Sequence, residues 1–306
     1  MSIVFFGTPE FAVPSLTGLI ASGEDLRLVV TQTDKLKGRG HALSTPPVKI
    51  AALEAGLKVT QPERLRGGVF LGELTSLAPE FIVVVAYGKI LPKDVLAIPA
   101  RGCINVHASL LPKYRGAAPI TWAIMRGERK TGVTTMLMDE GLDTGPVLLQ
   151  REIRIDEDDT SGSLGRKLAT EGASLLGDTL KGLRRGTVKP RPQTGEASYA
   201  PPLNKEDGLI DWSKSAIEIS AFIRAMQPWP GAHCYVNGER IVLLEAKAID
   251  GGGESGAIVK ADKGGFVIGA GEGLLSVLKV QPSGKKPMPA SAFVIGRKLA
   301  GGLSAG

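Results

Sequence analysis

Asn105 and His107 stand two positions apart in the stretch "CINVHASLLPKYRGAAPI", residues 103–120. Along a β-strand such positions share a face, with Cα atoms about 6.6 Å apart, while Ile104 and Val106 take the opposite side. A carboxamide can donate to an oxygen on which negative charge develops. An imidazole can donate as well, or take up a proton. The pair suits acyl transfer between amines. No nucleophile accompanies it: Ser109 lies two residues past the histidine on the same segment, and no GxSxG elbow adjoins the pair. A serine-hydrolase mechanism at this pair is therefore excluded. An acid beside the imidazole would orient it, and the glycine-rich "MDEGLDTGPVLLQ" (138–150) supplies Asp139, Glu140 and Asp143. Spacing alone does not choose among the three.

The pair needs a scaffold that brings a strand end to a cleft. "SIVFFG" reads as a buried first strand, followed by Thr8-Pro9-Glu10 as a capped helix start that runs to about Ser22-Gly23. "LRLVVTQ" and "LKVTQ" read as strands on either side of a capped helix in "STPPVKIAALEAG". "FIVVVAYG" (81–88) is continuously apolar and β-branched, as expected of a strand buried on both faces of a parallel sheet, and "GCINVHAS" follows as the next strand. This alternation predicts a doubly wound, Rossmann-like α/β domain with a mostly parallel sheet over 1–188. In such sheets ligands bind beyond the carboxyl ends of the strands, where Asn105 and His107 would be delivered. The first turn is neither GxGxxG nor a Walker sequence, so neither a dinucleotide nor ATP is expected.

Proline, glycine and serine dominate "GTVKPRPQTGEASYAPPLN", and residues 189–204 read as an extended linker. Beyond it, "DGLIDWSKSAIEISAFIRAM" reads as one amphipathic helical stretch, with Ile217, Ala221, Ile223 and Ala225 near helical spacing. Short β-like pieces follow, and "NGE" (237–239) marks a hairpin turn. A smaller, OB-like β-barrel domain is predicted over 205–306. Trp212 and Trp229 read as packing residues, and His233 and Cys234 as structural.

Composition narrows the function classes. Of 306 residues, 43% are hydrophobic and 22% charged, as in globular domains. Residues 1–183 hold 21 Lys+Arg against 20 Asp+Glu, whereas 184–306 hold 16 against 11, so +5 of the net +6 falls in the C-terminal part. A basic surplus gathered there suits a polyanion such as RNA. Two cysteines, Cys103 and Cys234, fit a reducing cytoplasm, and three histidines leave no metal site in prospect. No signal peptide or membrane span is expected.

The central segment, with "FFGTPEFAVPSL", "KGRG", "VVVAYGKILP", "DGLIDWSKSA", "PWPGA" and "GKKPM", closely resembles the folate-dependent formyltransferases over nearly the whole chain. The flanking motifs resemble the tRNA-dependent branch. Gln227 departs from the pattern, standing before "PWPGA" where that branch carries an asparagine. The resemblance implies a formyl group carried by 10-formyltetrahydrofolate, released as tetrahydrofolate, and passed to the α-amine of methionine on initiator tRNA, without a metal. It implies Asn105, His107 and Asp143 as the catalytic set, and Ser109, Leu110, Leu111 and Pro112 as folate-binding. It also implies that the loop carrying Lys35, Lys37 and Arg39 meets the tRNA acceptor arm. The nucleophile absent beside His107 would then be the substrate's own amine. A cytoplasmic monomer is expected.

Three rivals share some of these features. They are a formyltransferase acting on an amino-sugar nucleotide or another small amine, a hydrolase releasing formate with the same residues, and a non-enzymatic RNA-binding protein.

Overall fold

The computed structural model describes residues 2–37, 42–298, 302, 304 and 305; of positions 36, 37, 42 and 43 only the backbone is described. The chain forms two compact units, one from Met1–Pro119, Lys130–Arg154 and Gly165–Pro201, the other from Ile120–Arg129, Ile155–Leu164 and Pro202–Gly306.

The first unit is built on a seven-stranded sheet. Its strands are β1 (Ser2–Gly7), β2 (Asp25–Val30), β5 (Val59–Thr60), β6 (Phe81–Val85), β7 (Cys103–His107), β8 (Lys130–Leu137) and β9 (Val147–Arg154). The order is β5-β2-β1-β6-β7-β8-β9. The first five strands are mutually parallel, and β8 and β9 continue the sheet antiparallel. All five residues of β6 are buried, which is why it lacks the polar alternation of a half-exposed strand. Around the sheet lie α1 (Val13–Ala21), α2 (Pro47–Glu54), α3 (Gly68–Ser76), the single turn α4 (Lys93–Leu96) and most of α6 (Ser161–Arg185). Between them β3 (Lys35–Lys37) and β4 (Ala42–Ser44) form a separate two-stranded antiparallel piece.

Two helix starts differ from the sequence reading. Thr8 does not cap α1; its hydroxyl donates to the Tyr87 carbonyl at 3.0 Å, and a 3-10 turn (Glu10–Ala12) precedes the helix. Ser44 lies in β4, and α2 starts at Pro47 with no side-chain cap. Helix α6 carries glycines that lower its intrinsic propensity. Gly172 explains one of them: a Cβ there would sit 2.9 Å from a Val106 methyl and 3.3 Å from a Val133 methyl, so the missing side chain lets the helix close on β7 and β8.

The second unit holds the end of α5 (Pro119–Met125), the first residues of α6, α7 (Ala216–Ala225), α8 (Ala290–Arg297) and a curled antiparallel sheet. Its strands are β10 (His233–Val236), β11 (Glu239–Ile249), β12 (Ile258–Asp262), β13 (Gly265–Gly269), β14 (Leu274–Pro282) and β15 (Met288–Pro289). The order is β10-β11-β14-β13-β12, with β15 on β14. Asn237 and Gly238, both at positive φ, make the β10–β11 turn, as "NGE" predicts. One core gathers Ile219, Ile223, Leu243, Phe266, Leu275, Val277 and Phe293.

The stretch read as one long helix is two pieces. A 3-10 turn spans Glu206–Gly208, and α7 starts only after Ser215, whose hydroxyl accepts from Glu218 N while the Glu218 carboxylate accepts from Ser215 N. That reciprocal capping box ends the irregular segment. The shorter helix turns Ile217 outward, 75% exposed, and buries Ile219 in its place. Trp212 is a core residue whose indole N–H donates to the Ala305 carbonyl at 2.7 Å. Trp229 is not: it is 57% exposed, past the end of α7 and between two prolines that continue no helix.

Candidate active site

Strand β7 carries the polar pair to its C-terminal end, between parallel β6 and antiparallel β8. Ile104 and Val106 are buried, and Asn105 is half-buried opposite Val84 and Met136. His107 is buried, 6% exposed, opposite Thr134. The Asn105 carboxamide hydrogen-bonds to none of the described residues, so its donors are free for a bound group.

The imidazole is fixed from two sides. Its Nε2 lies 2.9 Å from the Tyr114 carbonyl, and its Nδ1 lies 3.7 Å from Asp143 Oδ2. A carbonyl only accepts, so Nε2 carries a hydrogen and Nδ1 is the nitrogen facing the carboxylate. At 3.7 Å the carboxylate lies beyond a direct hydrogen bond and pairs by charge only with a protonated ring. The same Asp143 oxygen accepts from Gly116 N at 2.8 Å, which fixes the carboxylate's direction. Gly116 has φ +118, and a Cβ there would come within 2.7 Å of the Ala200 carbonyl, so only glycine gives this approach.

Asp143 is thus the acid that meets the histidine, and the other two face elsewhere. Asp139 accepts from Gly141 N and from the Thr144 hydroxyl within its own loop. Glu140 pairs with Lys93 at 3.1 Å on the surface. Cys103 shares the strand face with Asn105 and His107, but burial pushes its thiol up to about 12. No thiolate nucleophile is available there at neutral pH.

The Ser109–Pro112 loop is held from within. Ser109 Oγ donates to the Lys113 carbonyl at 2.6 Å, and Leu111 packs against Met136 and Val147. Thr134, invisible in the sequence reading, organises this loop: its hydroxyl donates to Ser109 O at 2.6 Å and accepts from Leu111 N at 3.1 Å. Gln150 adds bonds to Leu111 O and to the same hydroxyl. The available signal was a pair of threonines inside the apolar run "GVTTMLM". Past the C-terminal ends of β6, β1 and β2, Tyr87 O accepts from Thr8 and Gln32, and Asp34 is bound by Lys49 and Gln61. The Lys49 hydrogen bond, more than any other contact, holds the Asp34 carboxyl below its usual range.

Of the cationic loop, Lys35 is exposed at the start of β3. Lys37 ends that strand, and Arg39 lies outside the described residues. Among the described residues no cluster of His, Cys, Asp and Glu could hold a metal ion, and no helix is long and apolar enough to cross a membrane.

Residues 1–180 match the family "Formyl transferase", and 202–298 match "Formyl transferase, C-terminal domain". The chain belongs to the formyl transferase family. It is 53% identical to a methionyl-tRNA formyltransferase of Thermodesulfovibrio yellowstonii, over 98% of this chain and 97% of that one. Among solved structures it resembles the methionyl-tRNA formyltransferase of Clostridium thermocellum, with a TM-score of 0.57 at 18% identity, covering 81% of this chain and 94% of that one. HypX of Aquifex aeolicus in complex with tetrahydrofolic acid superposes with a TM-score of 0.66 at 19% identity; the match covers 95% of this chain but only 46% of that longer protein. The protein is a formyl-transferring enzyme, and a folate-type donor fits its family. At such identities the two structures speak for the fold.

Proposed function

We propose that this enzyme transfers the formyl group of 10-formyltetrahydrofolate to the α-amino group of methionyl initiator tRNA, as a monomer in the cytoplasm, during translation initiation. The reading rests chiefly on 53% identity to a protein of that name over almost the full length of both chains. The site supports the chemistry with an unsatisfied carboxamide and a carboxylate-paired imidazole at one strand end.

The neutral α-amine attacks the formyl carbon, and the carbonyl oxygen becomes an oxyanion. Asn105 donates to that oxyanion from a fixed strand position, which needs no reorganisation as charge develops. His107 faces the reacting atoms beside Asp143, whose negative charge offsets positive charge on the ring. The attacking nitrogen loses a proton to the His107–Asp143 pair. The tetrahedral centre then collapses, breaking its bond to N10 of the folate, which takes a proton in return. No covalent enzyme intermediate forms.

The backbone of Ser109, Leu110, Leu111 and Pro112, held by Thr134 and Gln150, walls the folate. Residues 1–188 act as the catalytic domain. Residues 205–306, with the basic stretch 184–204 before them, bind the RNA backbone, and Lys35, Lys37 and Arg39 approach the acceptor arm.

The test offers the labelled folate donor to methionyl initiator tRNA, uncharged tRNA and an amino-sugar nucleotide in parallel. Label on the methionyl ester alone supports the reading. Label on the sugar moves the acceptor to the small-amine class, and free formate without an acceptor product indicates a hydrolase.

A further inference from the structure

The stretch expected as a linker does more than connect. Residues 191–200 run as a strap along the two loops that bring His107 and Asp143 together. Val147 and Arg191 exchange backbone hydrogen bonds of 2.8 and 2.9 Å. Ser198 accepts from Tyr114 N through its hydroxyl, at 2.9 Å, and from Arg115 N through its carbonyl, at 2.8 Å. Ala200 N donates to Arg115 O at 2.7 Å. Of the residues so held, Tyr114 touches the site through its carbonyl to His107, and Arg115 precedes Gly116, whose N–H donates to Asp143.

Gln193 joins the two loops through one side chain. Its Nε2 donates to the Asp143 and Gly145 carbonyls, each at 2.8 Å. Its Oε1 accepts from Arg115 Nε at 3.2 Å and from a terminal Arg115 nitrogen at 2.6 Å. Both amide hydrogens and the amide oxygen are committed, a pattern that needs two donors and an acceptor on one uncharged group. Asp143 itself sits at φ +52, a backbone region that residues with side chains seldom enter, so its conformation needs external support. The carbonyl that Gln193 holds belongs to that residue.

We propose that Gln193 is a positioning residue of the transfer reaction: by tying the Asp143 backbone to Arg115, it sets the carboxylate against His107. This rests on the reading that His107 and Asp143 form the transfer centre. Gln193 touches no reacting atom and acts through Asp143.

The experiment compares Gln193→Met, similar in length but without the hydrogen bonds, with Gln193→Glu, which keeps the acceptors for Arg115 and loses the donors. kcat, KM for both substrates and Tm are measured for each variant, alone and combined with Asp143→Asn. Both single variants should lower kcat roughly 10- to 100-fold, the scale of a small misplacement of a reacting group. KM values should stay within about twofold, since the bonds lost hold the transfer centre rather than the bound substrates. In the Asp143→Asn background, either change should alter kcat less than about twofold, since its route is already cut. An undiminished kcat, a loss that tracks Tm and recovers on cooling, or full multiplication with Asp143→Asn would each overturn the assignment. A wild-type enzyme inert toward every amine, or unaffected by Asp143→Asn, overturns the transfer centre and this inference with it.

Discussion

The two described histidines are equally buried, each 6% exposed, yet they sit in opposite electrical surroundings. His107, in the first unit, faces a carboxylate across 3.7 Å, with a carbonyl holding the far nitrogen. His233, in the second, has a backbone carbonyl at 3.2 Å and no acid partner among the described residues, with the Tyr235 ring edge-on beside it. Burial, the largest influence, pulls the His233 pKa below its ordinary 6.5; Arg240 and Lys205 pull the same way, while hydrogen bonds to Gly231 and Gly208 oppose it. Burial alone therefore makes a structural, neutral histidine. What makes the other a candidate for proton transfer is the loop that delivers Asp143.

The contrast can be broken at four points. His107→Asn should cost the most, roughly 10²- to 10⁴-fold in kcat, the range for a lost acid–base group, with the fold intact by circular dichroism. Retention of more than a tenth of wild-type turnover would refute its role. Asn105→Ala should follow at roughly 10²- to 10³-fold in kcat, as for a single oxyanion donor, while tRNA affinity in a filter-binding assay is kept. Equal losses of binding and turnover would point to misfolding instead. Cys103→Ala should leave kcat within about twofold and cost about 1 kcal/mol in urea denaturation, a small core truncation beside the site. A collapse of turnover there would reopen covalent chemistry.

The smallest effect belongs to His233. With its folded pKa below the unfolded value, the unfolded chain binds more protons in the interval between them, so folding stability falls as pH drops below about 6.5 and levels off below the folded pKa. His233→Gln should flatten that part of the stability curve and leave kcat within about twofold. Urea midpoints for both proteins at several pH values between about 5 and 8 check it. A wild-type slope that persists in the variant would assign the dependence to another group.

Parts of this site were legible because their signals are local. Asn105 and His107 share a strand face by the twofold repeat of β7, and the "NGE" hairpin follows from positive φ at two adjacent positions. The helix starts misled because a threonine or serine caps only where no better partner competes, and Thr8 found the Tyr87 carbonyl 79 residues away. Trp229 misled because aromatic character says how much surface a residue could bury, not whether it does. The proline- and glycine-rich stretch before 204 misled most. Such composition forbids helix and sheet ladders, but it leaves an extended backbone with free donors and acceptors, and these bonded to the loops carrying Arg115 and Asp143.

Residue type and spacing alone were enough for the alternating first domain, the polar pair on β7, the absence of an enzyme nucleophile beside it and the basic C-terminal part. Each is set within a few residues or by a sum over many. The choice of Asp143 over Asp139 and Glu140, and the service of Thr134, Gln150 and Gln193, came only with the tertiary structure. Three carboxylates within five residues have the same chemistry, and what distinguishes them is direction. Gly116 and Gln193, far apart in the chain and the second held by Arg115, converge on one loop and point a single carboxylate at His107.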